Sequence, residues 1–339
     1  MKKLTALFAI LAVAVLASQV GSCGGGGGSS DGGPPPLPVP PFTPPAPIDW
    51  TTLSPSGDTR TIYVSDSAGD DTQDGLTEPT AKKTIAAGKA LLRTGFPDWL
   101  LLKAGDTFTD QSIGGWALSG RSVSEPMVVG SYGTGDRPLI QTGTAHGVAT
   151  TGASVSHVAF VGLHLTPHSY TGTQGSSGMV WLAVSDDILV EDCLFEGFRD
   201  GLVVQAFDGP VGSIKDFRIR RSVIVESWAS GSFSQGLFAY GIYGLLVEDC
   251  LFDHNGWKEG PGGSPPTIFN QNTYVHDCSN VTMRGNLVLR AANLGNKFRS
   301  DNTGGSRGML IEDNVYIEGA VAISCGGNSS SAHRFANIT

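Results

Sequence analysis

Charged side chains are scarce in this chain: they make up 16% of its 339 residues, against roughly a quarter in an ordinary globular protein. Bases are the scarcer sign, 22 Lys and Arg against 31 Asp and Glu, for a net charge of −9. With no basic excess to neutralise phosphates, nucleic acid is excluded as the main partner. Only five cysteines occur, and no Cys/His spacing has the pattern of a zinc site. No Gly-rich loop opens a helix as a phosphate cradle would, and no Ser/His/Asp order stands out. Beyond the first two dozen residues no apolar run reaches the about 20 residues needed to span a bilayer. What is plentiful is glycine, 47 residues, alongside 40% apolar residues. Many tight turns around a buried core follow, and a wholly disordered chain is excluded.

The N-terminus carries an address. Lys2 and Lys3 followed by the apolar run from Leu4 to Ala17 read as an export signal. Val20-Gly21-Ser22-Cys23 resembles a bacterial lipobox, which implies lipidation of Cys23, and Gly24 after it implies display at the outer membrane or cell surface. Residues 24–48 hold five consecutive glycines and then a Pro-rich stretch, a flexible and then a stiff spacer. The chain therefore divides into a signal peptide at 1–22, a lipidated Cys and tether at 23–48, and a folded domain at 49–339. Its membrane attachment would be through lipid alone.

The folded part repeats itself. Val190-Glu191-Asp192-Cys193-Leu194-Phe195 recurs as Val247-Glu248-Asp249-Cys250-Leu251-Phe252. With Cys193 as register residue, the equivalents are His164, Ser222, Cys250, Asn286 and Asn314, at spacings of 29, 29, 28, 36 and 28 residues. Apolar residues stand three before and one after each register position. A period near 28 with β-branched segments and no helical periodicity predicts an all-β parallel solenoid, its coils stacked at about 4.8 Å. The register residue is expected at a tight bend, where Asn tolerates left-handed backbone and stacks in a ladder. Cys193 and Cys250 then lie two coils or roughly 9.6 Å apart, beyond disulfide reach, and are expected to be free, buried thiols. Thr80 to Thr94 reads as an amphipathic capping helix, followed by a strand from Trp99 to Lys103. At the other end Phe335-Ala336-Asn337-Ile338 reads as the start of another coil, so the chain is expected to be incomplete there.

Several segments, Tyr63-Val64-Ser65, the Gly69–Gly75 loop, Lys83-Thr84-Ile85, Leu102 to Phe108, and Ser131-Tyr132-Gly133 with Arg137-Pro138-Leu139-Ile140, resemble the cap and first coils of right-handed parallel β-helix proteins of the pectate-lyase-like superfamily. The resemblance covers about residues 60–339 and implies that fold. It leaves activity open, because the superfamily mixes polysaccharide lyases, glycoside hydrolases, epimerases and non-catalytic surface proteins.

The 36-residue spacing adds about eight residues to one coil, placed at Asn255 to Pro266 with Trp257 in it; solenoid insertions map to binding loops. Strand alternation turns Tyr274 and His276 outward around Val275, and Lys297 and Arg299 outward around Phe298. Tyr240 and His276 both lie ten residues before their register positions and should stack. Tyr240, Tyr274, His276, Lys297 and Arg299 would form one outward patch suited to an acidic sugar chain, with Trp257 as a further binding residue. The chemistry expected is β-elimination on a uronate-containing polysaccharide: Lys297 as base, its pKa depressed by Arg299, or His276 in its place, and Arg299 on the carboxylate. The competing readings are a solubilising face on a non-catalytic adhesin or carbohydrate-binding protein, and a glycoside hydrolase on the same fold. Repeated Glu191-Asp192 and Glu248-Asp249 point to bends rather than to a catalytic pair; Asp253 and His254 are secondary candidates. Asp66, Asp70, Asp71 and Asp74 are either a calcium site or a solvated cap loop.

Overall fold

The computed structural model describes residues 43–46, 48–301, 306–326 and the backbone of 335–338. The export signal, Cys23, most of the tether and the Ser-rich stretch after Gly326 lie outside these residues. The described chain winds into three parallel sheets. The first holds ten strands, from Thr61–Val64 to Phe335–Ile338; the second holds eight three-residue strands, from Thr107–Thr109 to Val315–Ile317; the third holds eight, from Gly114–Trp116 to Val321–Gly326. Each strand pairs in parallel with its counterpart one coil away, the arrangement of a right-handed parallel β-helix.

Alternation explains the core. The middle residue of each short strand in the second sheet points inward, and Phe108, Ile140, Leu165, Phe195, Ile224 and Phe252 stack along the axis, each at most 1% exposed. Inward residues of the other sheets, such as Ile188, Val190, Leu202 and Val204, close the same core.

The bend between the first and second sheets works through two adjacent residues. Gly162, Asp192, Arg221, Asp249, Gly285 and Asp313 hold φ values from 46° to 69°, the left-handed turn that reverses the chain. The register residue follows, buried in every coil but the last, where Asn314 is half-buried. This corrects the expectation that the register residue itself is left-handed. Asn286 shows what it does instead: its Nδ2 donates to the carbonyl of Val247 at 3.0 Å and to Asn314 Oδ1 at 2.8 Å, and its Oδ1 accepts the N–H of Cys250 at 2.9 Å. The amide satisfies the bend's own backbone groups. Ser222 does the same more weakly for Cys193, its hydroxyl accepting that N–H at 3.2 Å. Cys193 and Cys250 are free and buried as expected, and burial pushes both thiols up to about 12.

Two further expectations are corrected. The first register residue is Leu163, because Leu194 pairs with His164; the outward Val161, packed against an outer cluster of Val128, Ala159 and Leu189, imitates the inward pattern one step out of place. The capping helix spans only Ile85–Lys89 after a short turn at Glu78–Thr80. Thr84 caps it by accepting the N–H of Ala87, and buried Asp98 accepts the N–H groups of Arg60 and Arg93, turning the chain into Trp99–Lys103. Gly88 lets the helix lie flat on the first coil: a Cβ there would meet Val64 at 2.4 Å.

Outside the first sheet, Glu191, Arg220, Glu248, Arg284 and Glu312 pair coil by coil. Arg220 bridges Glu191 at 3.2 Å and Glu248 at 2.9 Å, and Arg284 bridges Glu248 at 3.2 Å. A strap seals this ladder. Arg284 donates to the carbonyl of Pro45, Arg220 to those of Ile48 and Asp49, and Glu191 accepts the N–H of Thr51. The end of the segment read as tether is thus docked on the solenoid.

Replacing Asn286 with Ala strands a buried N–H and a carbonyl, so we expect the urea midpoint to fall by the equivalent of about 2–3 kcal/mol. Asn286→Ser, the residue found two coils earlier at Ser222, should recover part of the loss. An unchanged midpoint for Asn286→Ala would show that the amide ladder does not hold the bends.

Candidate functional site

The third sheet turns alternate side chains away from the core, and the parallel register lines them up across coils. Tyr240, His276 and Arg299 occupy one row, and Phe238, Tyr274 and Lys297 the next. Val275 and Phe298 between them are buried, 2% and 1% exposed, so the inward and outward assignment matches expectation. The rings touch: Tyr240 and His276 lie 4.9 Å apart between centroids, Phe238 and Tyr274 5.4 Å, and Tyr274 and His276 5.9 Å in a stacked geometry. Lys297 Nζ sits 4.9 Å from the Tyr274 centroid, within cation–π range. All five sequence-predicted patch residues are brought together.

Two carboxylates that sequence reasoning missed complete the patch. Arg299 donates from Nε to Asp301 Oδ2 at 2.5 Å, pairs with it again through Nη2, and gives Nη1 to the Tyr274 hydroxyl at 3.3 Å. His276 Nε2 faces Asp277 Oδ2 at 3.1 Å and Asp301 Oδ2 at 3.4 Å. Asp277 also accepts the N–H of Asp301 at 2.8 Å. A signal for them was available: each follows an outward residue, His276 or Arg299, by one or two positions, where the chain leaves the third sheet. The guanidinium edge bound to Asp301 cannot at the same time hold a substrate carboxylate bidentately.

These surroundings tune the bases. Burial first, and the charge of Arg299 second, hold the Lys297 ammonium below its ordinary value, against the pull of Asp301. Burial likewise lowers His276, with Arg299 acting in the same direction and Asp277 and Asp301 opposing it. The hydrogen bond to Asp301 raises Arg299, which stays charged. The patch therefore combines a permanent cation with two bases biased toward their neutral forms.

Other candidates lie elsewhere. Trp257 sits at the corner before the third sheet, its indole N–H donating to the carbonyl of Arg290 at 3.0 Å and its ring 4.1 Å from that of His254. That is the opposite end of the Gln271–His276 strand from His276, so Trp257 does not join the patch. His254 is buried against Glu226 at 2.7 Å, and Asp253 is held by Arg290. In the cap, Asp70 accepts the N–H and hydroxyl of Thr72, Asp71 accepts the N–H groups of Lys83 and Thr84, and Asp74 accepts Leu76 N–H and the Thr80 hydroxyl. Asp66 accepts from Gln111. These carboxylates shape turns, and among the described residues no three His, Cys, Asp or Glu side chains gather to hold a metal ion.

No protein-family model matches the chain, and no curated protein matches it. Solved structures similar to it include a lacto-N-biosidase of family GH136 from Eubacterium ramulus, with 14% identity, a TM-score of 0.46 and coverage of 79% of this chain and 54% of that one. A pectate lyase is similar at 14% identity and a TM-score of 0.44, covering 82% of this chain and 80% of that one. A rhamnogalacturonan lyase is similar at 13% identity and a TM-score of 0.43, covering 81% of this chain and 64% of that one. The chain spans about half the length of the lacto-N-biosidase.

Because burial favours neutral His276, the unfolded chain binds the proton more readily, and stability should decline as pH falls below 6.5, the ordinary value, toward the lower folded one. Titration of the imidazole by NMR, assigned with His276→Gln, should place its midpoint below 6.5. A midpoint at or above that value would contradict the environment described.

Proposed function

We propose that the outer face of the third sheet binds a uronate-containing polysaccharide and cleaves it by β-elimination, with Lys297 as the base. The observation that carries this reading is the setting of Lys297, half-buried over Tyr274 and beside Arg299, which favours a neutral amine on a surface otherwise ready for an anion. In the step, Nζ takes the proton next to the carboxylate, the freed electron pair forms a carbon–carbon double bond, and the glycosidic oxygen leaves with its bonding electrons and a proton from solvent. Arg299, fixed by Asp301, supplies a stationary positive charge near the developing anion, and Tyr240 and Tyr274 offer ring faces to the sugar. His276 is the alternative base.

One observation favours binding without turnover: the Arg299 charge is already paired with Asp301, which weakens its pull on a substrate carboxylate. The cellular address is part of the proposal and rests on Lys2 to Cys23. Exchange of Cys23 for Ser should move the protein from the membrane to the soluble fraction, and unchanged membrane recovery would remove the lipid anchor.

The deciding assay is ultraviolet absorbance of the purified protein with a panel of uronate polysaccharides, with and without Ca²⁺. The lyase reading expects a rise from unsaturated product, a loss of at least about 100-fold in Lys297→Ala, and no rescue by Lys297→Arg. Since the base acts unprotonated, kcat/KM should climb with pH through a limb below the ordinary lysine value of 10.5. Retention of a polysaccharide with no absorbance change would favour the binding role.

A further inference from the structure

Two phenylalanines stand in the open at the start of the same coils that carry the patch. Phe233 is 64% and Phe269 56% exposed, their rings 5.6 Å apart, and Ile268 beside them is 67% exposed. Burial of such a pair would be favourable, so its exposure calls for an occupant. The backbone beneath is held by buried amides. Gln235 donates to the carbonyl of Phe269 at 2.8 Å, Gln271 to that of Ile268 at 3.0 Å, and Gln235 Oε1 accepts the N–H of Gln271 at 2.8 Å. Ser234 N–H donates to Asn270 Oδ1 at 3.2 Å. Gln235 and Gln271 are 5% and 0% exposed, so the rings are presented by a braced frame.

The pair is also aligned. Phe233 with Phe269, Phe238 with Tyr274, and Tyr240 with His276 are three ring contacts bridging the same two coils. Together they make a strip that runs with the strands, across the solenoid axis. Five residues separate Phe233 from Phe238, a reach of at most roughly 18 Å.

We infer that Phe233 and Phe269 form a platform for an uncharged pyranose, so that the sugar chain crosses the third sheet along its strands and carries a neutral residue some way from the uronate at Lys297. This rests on the proposed function and narrows its substrate to a mixed polymer of uronate and neutral sugars. The choice of a neutral sugar follows from the surface: Phe233, Phe269 and Ile268 offer a carboxylate no donor, and desolvating it there is unfavourable. The C–H face of an uncharged ring gains by covering them.

The test is isothermal titration of the whole protein with all-uronate, all-neutral and mixed oligosaccharides of equal length. The double variant Phe233→Ala, Phe269→Ala should bind mixed oligosaccharides about tenfold more weakly and all-uronate ones as before, with an unchanged melting temperature. Phe269→Tyr, which keeps the ring face, should retain affinity. Lys297→Ala should weaken the all-uronate series and spare the Phe-dependent part of mixed binding. Equal affinity of wild type and double variant for mixed oligosaccharides would overturn the platform, as would an equal loss for the all-uronate series. Phe-dependent binding in a protein that cleaves no uronate polymer would support the platform while removing the lyase reading.

Discussion

The parallel backbone ladder, which sets each coil in register on the one before, is the constraint on which the rest of the molecule depends. It converts the 36 residues from Tyr240 to His276 and the 23 from His276 to Arg299 into a spacing of about 4.8 Å per coil. Tyr240, His276 and Arg299 become neighbours through it without any local motif. The ladder can persist only if every bend closes in the same way. From Asp192 onward that is the work of a left-handed residue followed by a small or amide-bearing one, whose side chain occupies the backbone groups that the bend leaves over; at the Gly162 bend the buried Leu163 fills the same place.

Charge is handled differently on the first and third sheets. On the first sheet Glu and Arg alternate coil by coil, and the strap from Pro45 to Thr51 supplies further carbonyl and amide partners. Buried ion pairs are tolerated when their remaining donors and acceptors find such partners, and a surface so covered has little left to offer a ligand. On the third sheet aromatic rings separate the charges. Lys297 lies on a ring face and not on a carboxylate, and Arg299 is braced by Asp301 without being closed over. The contrast is why we propose the third sheet, and not the more highly charged first, as the surface for an anionic chain.

The fold was legible because its signal is redundant: the Val-Glu-Asp-Cys-Leu-Phe repeat and its flanking apolar positions each report the same period. Outward placement of Tyr274, His276, Lys297 and Arg299 followed from alternation alone. Errors arose where one residue could satisfy two registers. Val161 is apolar because it packs against an outer cluster of Val128, Ala159 and Leu189, a tertiary reason that no period reveals. The helix from Thr80 was overextended because its apolar spacing continues past the point where Asp98 draws the chain into the next strand. Asp277 and Asp301 were missed because they stand where the strand pattern ends and alternation no longer says where a side chain points.

The long coil links these themes. Its extra residues enter at the corner between the second and third sheets, where Lys258 and Ser264 exchange backbone hydrogen bonds at 2.8 and 2.9 Å to close a small hairpin. The hairpin lets the chain return to the sheet through Ile268 and Phe269 and still arrive in register, with Gln271 opposite Gln235. An insertion that broke register would have separated Tyr274 from Phe238 and His276 from Tyr240. By looping out at the corner, it adds a ring beside Phe233 and leaves the downstream rows untouched, so new surface is gained at the bend without disturbing the ladder that positions the site.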